Sequence, residues 1–339
     1  MTPRELVKKA VEFDNPVRIP RHLWTLPWAK DHFPKELAAI QREFPDDICL
    51  SPDFLKKAPV TIGDPYIEGS YTDEWGCVFE NKHKGIIGEV KMPLVISWSD
   101  LDKAKVPDEL LSVDTSQVNA FCKSTDQFVL AGCGLRLFER LQFIRGSENI
   151  FMDIAEESKD FYTLLNRIHQ FNIKQVELWS KTDVDAIMVS DDWGAQRSLL
   201  ISPSTWRTLF KPLYKEYADI SHRHGKYMFM HSDGYIKDIL PDLIESGLDA
   251  INCQIFCMDV ADLGKKFKGK LTFWGEIDRQ HILPNATTDE VAQAVRLIKS
   301  SLYHHGGVIA QCEFGPGAKP ENIYAVFKSW DNVINKEMC

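Results

Sequence analysis

No two of the eight cysteines, at positions 49, 77, 122, 133, 253, 257, 312 and 339, are spaced C-x-x-C, which excludes a zinc ribbon. The start, Thr2-Pro3-Arg4-Glu5, is no signal peptide; it reads as a capped helix start, with Glu5 three residues after Thr2. Reduced thiols in a cytoplasmic protein are therefore expected, several of them as small core residues. No apolar run is long enough to span a membrane. No long basic run occurs and the net charge is -9, which argues against nucleic acid or anionic lipid as a partner. A glycine-rich dinucleotide loop is missing as well: Gly132-Cys-Gly134 follows a strand but lacks the third glycine. Asp192-Trp-Gly194 has neither the glycine loop nor the lysine that a kinase metal motif needs.

What is present is ordinary in bulk and unusual in arrangement. Hydrophobic residues make up 44% and charged residues 26% of 339, as in globular proteins. From Phe128 onward, strand-like and helix-like segments alternate. Strands are expected at 128–131, 185–190, 226–231, 250–253, 271–274 and 308–312, with helices between them and a last helix over 320–336. Two earlier strands, Val17–Trp24 and Ile48–Ser51, bring the count to eight. Such alternation implies parallel strands with helical crossovers, and eight close a (β/α)8 TIM barrel. Residues 53–126 break the rhythm. Glycines and aromatics over 68–95 suggest short antiparallel strands, a strand-containing insertion between the second and third barrel strands. Residues 1–339 are expected to form one domain.

The stretch Lys226–Gly234 organises the candidate site. An apolar strand ends in His231 and Asp233, and Gly234 lets the chain turn. The other strands end similarly: Cys133 and Arg136, Asp191 and Asp192, Cys253 and Gln254, Glu276 and Asp278, Cys312 and Glu313. Capping alone explains one such end better than it explains nearly all of them. In a barrel these positions converge on one mouth. A metal is the simplest account, with His231 and Cys312 as first ligands and Glu276 as third, against competition from Asp233 and Gln254. Zinc suits this mixture of imidazole, carboxylate and thiolate. Asp191 and Asp192 form a pair, of which one is expected to face the site and the other to cap. Trp193 reads first as packing and second as the floor of a substrate pocket. The segment Leu137–Gly146, with Arg136, Arg140 and Arg145 about it, is expected over the mouth; the plainer reading is a surface helix.

Five stretches carry a resemblance: Leu137-Phe-Glu-Arg-Leu-Gln-Phe-Ile-Arg-Gly146, Ser190-Asp-Asp-Trp-Gly-Ala-Gln196, His231-Ser-Asp-Gly234, Phe273-Trp-Gly-Glu-Ile-Asp278 and Gln311-Cys-Glu-Phe-Gly315. Together the chain resembles the uroporphyrinogen decarboxylase superfamily, and within it the corrinoid-linked methyltransferase branch. The resemblance implies a barrel with its site at the strand C-termini, and zinc on a His-x-Cys pair plus a later Cys. His231 matches the histidine and Cys312 the later cysteine. Asp233 stands where the first cysteine would be, and Gln254 near an intervening acid. The arginine-rich N-terminal signature of the decarboxylase is replaced by Leu23-Trp-Thr-Leu-Pro27, so Trp24 is a candidate for receiving an apolar or aromatic methyl donor. The function expected is metal-dependent transfer of a methyl group between a small methylated compound, such as a methoxylated aromatic, and a corrinoid on a partner protein. Asp191, Asp192, Asp233 and Asp278 are the expected catalytic residues, and Arg136, Trp24 and Trp193 the expected substrate contacts. The alternative is a metal-independent decarboxylase whose Arg136, Arg140 and Arg197 hold carboxylates. A non-catalytic corrinoid-binding subunit is a third reading, and the sequence leaves a homo-oligomer open.

Overall fold

A computed structural model describes residues 1–335; Cys339 and the last residue of the expected 320–336 helix lie outside the described residues. The strands are β1 (Arg21–Thr25), β2 (Ile48–Leu50), β3 (Gly69–Thr72), β4 (Val78–Asn81), β5 (Glu89–Met92), β6 (Phe128–Leu130), β7 (Ala186–Ser190), β8 (Tyr227–Ser232), β9 (Ala250–Cys253), β10 (Thr272–Trp274) and β11 (Val308–Phe314). Eight of them make one parallel sheet in the order β1-β11-β10-β9-β8-β7-β6-β2. This is the expected (β/α)8 barrel. The other three form an antiparallel sheet inserted between the second and third barrel strands, also as expected.

No ladder joins β1 to β2 among the described residues, and carboxylates stitch that seam instead. Asp47 accepts from the Arg21 backbone N–H at 2.7 Å, while its own N–H donates to the Arg21 carbonyl at 2.9 Å. Asp46 accepts from Leu23 N–H at 2.6 Å. Arg18 grips Asp47 with both terminal nitrogens, at 2.6 and 2.7 Å. Pro20 delays the first strand to Arg21, because it cannot donate to a ladder.

Two buried clusters divide the residues by strand parity. Ile48, Phe128, Leu130, Ala186, Phe229, Ala250, Trp274 and Ile309 fill the barrel interior. Their sequence neighbours, such as Val129, Ile187, Met230, Ile251, Phe273 and Ala310, pack outward against the helices. Phe128 stacks on Phe229 at 5.4 Å, and Phe229 meets Trp274 edge-on at 5.5 Å, so the barrel is a packed core. The first helix, Pro3–Val11, plugs its lower end with Val7 and Val11. That helix starts with the expected capping box on Thr2 and Glu5.

Of the three arginines in the segment around Arg136–Arg145, two are spent on other partners than the mouth. Arg140 is buried beside Asp73 and Glu74, over the ring of Trp75. Arg145 pairs with Asp153 at 2.9 Å and lies over the Trp98 ring. These two arginines fasten the insertion and are committed to it. Arg136, paired with Glu139, is the one left towards the rim. On the other side the insertion reaches the mouth, where Ile86 shares a hollow with Leu26, Glu313 and Gly315.

Candidate functional site

Strand parity decides what faces the mouth. Because successive side chains alternate, the interior series 186, 188, 190 continues to Asp192. Likewise 227, 229, 231 continues to Asp233; 250, 252 to Gln254; and 309, 311 to Glu313, while Gly275, at φ 72°, ends the extended run after Trp274 and Glu276 reaches the cavity from the turn. These five polar groups ring the upper end of the barrel. Two turns are then pressed together. A Cβ on Gly194 would lie 2.3 Å from Tyr235 N, and one on Gly234 would lie 2.2 Å from Gly194 O. Only glycines permit that backbone approach. It sets Asp192 beside Asp233, whose N–H donates to Asp192 Oδ1 at 2.8 Å.

His231 is the centre. Its Nδ1 meets Asn252 Oδ1 at 2.6 Å, and Asn252 Nδ2 donates to the Trp274 carbonyl at 2.6 Å. The amide is thus oriented oxygen towards histidine, so Nδ1 carries a proton. Nε2 faces Asp192 Oδ1 at 3.5 Å and Asp233 Oδ1 at 3.7 Å. A divalent cation between Nε2 and the two carboxylates would satisfy all three groups. Asp233 Oδ1 is buried without a hydrogen-bond partner. One donor atom each from Asp192, His231 and Asp233 lies within 4.8 Å of the others. This set fits a divalent metal. Trp24 forms the floor, its ring 5.2 Å from His231 and edge-on to Trp274 at 5.3 Å.

Beside this triad is a cavity of about 300 Å³, lined among others by Gln254, Phe256, Glu276, Asp278, Arg279 and Arg197. Glu276 is 2% exposed. Burial pushes its carboxyl up to about 8, Asp233 and Glu313 adding to the shift and Arg279 opposing it. Its Oε2 has no hydrogen-bond partner. Arg279 binds Asp233 directly and lies 3.7 Å from Glu276 Oε1 and 3.6 Å from Glu313 Oε2. Asp278 lines the cavity but spends Oδ1 on the turn N–H groups of Gln280 and His281.

Other expected residues lie elsewhere. Asp191 is buried and accepts from Leu137 N–H, Glu139 N–H and Tyr214 O–H, the last at 2.7 Å. Burial raises it to about 6 while these hydrogen bonds restrain the rise. It caps the helix Phe138–Arg145, and Asp192 is the member of the pair that faces the site. Trp193 stacks on Phe138 at 4.0 Å in the helix layer. Cys312 shares its parity with Ala310 and Phe314 in the outer cluster, paired in register with Leu23. Burial drives its thiol well above the usual value. Its neighbour Glu313, in register with Trp24, faces the mouth instead. Asn252 and Arg279 escaped the sequence reading. Period-two spacing from Gln254 was the one available signal for Asn252. Nothing local marked Arg279, which sits in a turn beyond β10.

Comparisons with known proteins agree with this architecture. A search of curated proteins found no match. Among solved structures, a methyltransferase from Methanosarcina mazei superposes with a TM-score of 0.71 at 14% identity, covering 98% of this chain and 99% of that one. A glycosylated endo-beta-1,4-xylanase from Gloeophyllum trabeum reaches only 0.43 at 10% identity, over 96% of this chain and 98% of its own. The first likeness speaks for the fold. Residues 74–333 match the family described as Uroporphyrinogen decarboxylase (URO-D). That match spans well over half of the sequence, and the chain belongs to the uroporphyrinogen decarboxylase family.

Proposed function

We propose that this protein is a metal-dependent methyltransferase, moving a methyl group between a small methylated compound and a corrinoid carried by a partner protein. The observation that carries the reading is His231 Nε2 facing Asp192 and Asp233 at 3.5 and 3.7 Å, with Asp233 Oδ1 unpartnered. His231, Asp192 and Asp233 would hold the metal. When bound, it acts as a Lewis acid on the heteroatom that carries methyl. An imidazole with two carboxylates suits zinc and also harder divalent ions, since no thiolate joins the set.

The chain's own groups supply the rest. Asn252 fixes the His231 tautomer. Trp24 and Phe256 offer apolar walls for a methylated compound. In the demethylating direction the bond from heteroatom to methyl breaks and the heteroatom keeps the electron pair. A reduced corrinoid on the partner protein would supply the electron pair that takes up the methyl group. Glu276, whose carboxyl burial raises to about 8, would give the leaving heteroatom its proton.

The decarboxylase alternative needs arginines to receive a carboxylate-rich substrate. Here Arg140 is spent on the insertion. The mouth carries Asp192, Asp233, Glu276 and Glu313 against Arg279 and Arg197, an acidic excess that disfavours a polyanion. The test is elemental analysis of the purified protein, followed by a screen of methoxylated aromatics with a reduced corrinoid protein, read by the cobalt absorption bands. One equivalent of a divalent metal and corrinoid methylation are expected. A metal-free protein that methylates no corrinoid would end this reading.

A further inference from the structure

Arg279 is bound where three strand ends meet. It hydrogen-bonds Asp233 from the turn after β8 and lies 3.7 Å from Glu276 in the turn after β10 and 3.6 Å from Glu313 of β11. Its contact with Asp233 is through Oδ2, while Oδ1 of the same carboxylate is turned to His231 Nε2. One oxygen is thereby engaged by a guanidinium and the other left free. Glu276 is treated alike: Oε1 lies towards Arg279 and Oε2 has no partner. Arginine suits this arrangement because it is permanently charged and its planar fork spreads donors over several acceptors.

Resting on the metal reading above, we propose that Arg279 sets the coordination number of the site. By engaging Glu276, Glu313 and the outer oxygen of Asp233, it keeps the two glutamates off the metal. Three ligands then remain, Asp192, His231 and Asp233, and a position stays open for the substrate heteroatom. A catalytic metal centre needs such an opening, whereas a fully ligated one is structural. Without Arg279 as a competing cation, Glu313 and Glu276, the latter giving up its proton on ligation, would turn to the divalent ion. The arginine thus exchanges affinity for an open site.

The experiment compares wild type with Arg279→Gln and Arg279→Lys, each checked for folding by circular dichroism. Zn²⁺ affinity is read by calorimetry and the ligand field by Co²⁺ absorption. Removing a unit charge about 4 Å from the carboxylates should tighten Zn²⁺ binding in Arg279→Gln by roughly tenfold or more. Its Co²⁺ bands should weaken, as expected when further oxygen ligands raise the coordination number. Arg279→Lys, charged but without the fork, should fall between and serves if the glutamine variant does not fold. Equal or weaker Zn²⁺ affinity with an unchanged Co²⁺ spectrum overturns the inference and leaves the metal reading standing. Absence of metal binding by wild type and variants alike removes both.

Discussion

His231 depends on a single neighbour for its chemistry. Asn252 accepts from Nδ1 at 2.6 Å, and its own amide is locked by the Trp274 carbonyl. Partners of this kind fix the tautomer and ring orientation of a ligating histidine. Asn252→Ala should therefore weaken metal affinity by about 10–100-fold without touching a ligand, as measured by competition with a chromogenic chelator. Unchanged affinity would show that the ring is held by packing on Trp24 alone. Cys312 makes the opposite case. It lies on the outer face of β11, fully buried among apolar residues. Cys312→Ala should keep its full metal content and lose about 1 kcal/mol of stability, as a small core truncation does. A metal-depleted but folded C312A protein would restore the thiol as a ligand.

Carboxylates act at two places in the framework, the seam of the barrel and the root of the insertion. At the seam between β1 and β2, Asp46 accepts from Leu23 N–H, and burial pushes its carboxyl from 3.8 up to about 7, with Asp47 adding to the rise. The folded state thus favours protonated Asp46. Its favourable contribution is complete below pH 3.8 and is lost as pH rises to about 7. Asp46→Asn keeps the acceptor and removes the charge. Its gain over wild type should grow between pH 4 and 7 and level off at about 1–3 kcal/mol above that, as read by denaturant melts across pH. A gain independent of pH would show that the side chain is ionised throughout. The insertion is held by Arg140, buried against Asp73 and Glu74 and over Trp75. Arg140→Met leaves two carboxylates without their counter-charge. The loss should be about 3–5 kcal/mol, with new proteolytic nicks in residues 53–126 before the barrel is cut. Cleavage spread evenly over the chain would mean that the insertion is fixed by its apolar contacts.

At the scale of the molecule, five strands of one barrel each end in a polar side chain turned to the same mouth. Binding a cation there favours the folded state over the unfolded, in which the ligands are scattered. Chelation should accordingly lower the thermal midpoint, and re-addition of metal should restore it. With the metal at about 100 times its dissociation constant, the stabilisation would be about 2.7 kcal/mol. A midpoint indifferent to chelator would detach the cluster from the fold's stability. Among the described residues no helix is long and apolar enough to cross a membrane.

The barrel was legible in the sequence because alternating apolar periodicities are local properties, and the crossover rule converts them into topology. The residue types at the strand ends were legible for the same reason, as was Thr2 with its capping box. Which of two neighbours faces the mouth was not. A strand has period two, so a one-residue uncertainty in its end exchanges the two faces. That ambiguity separates Asp192 from Asp191 and Glu313 from Cys312. Parity could be assigned only once the interior cluster around Phe128, Phe229 and Trp274 was known. The Asn252 support of His231 joins residues on two strands in register, and Arg279 gathers carboxylates from three. Such juxtapositions carry no local signal, since the chain between the partners is set by packing; the tertiary structure alone decided them.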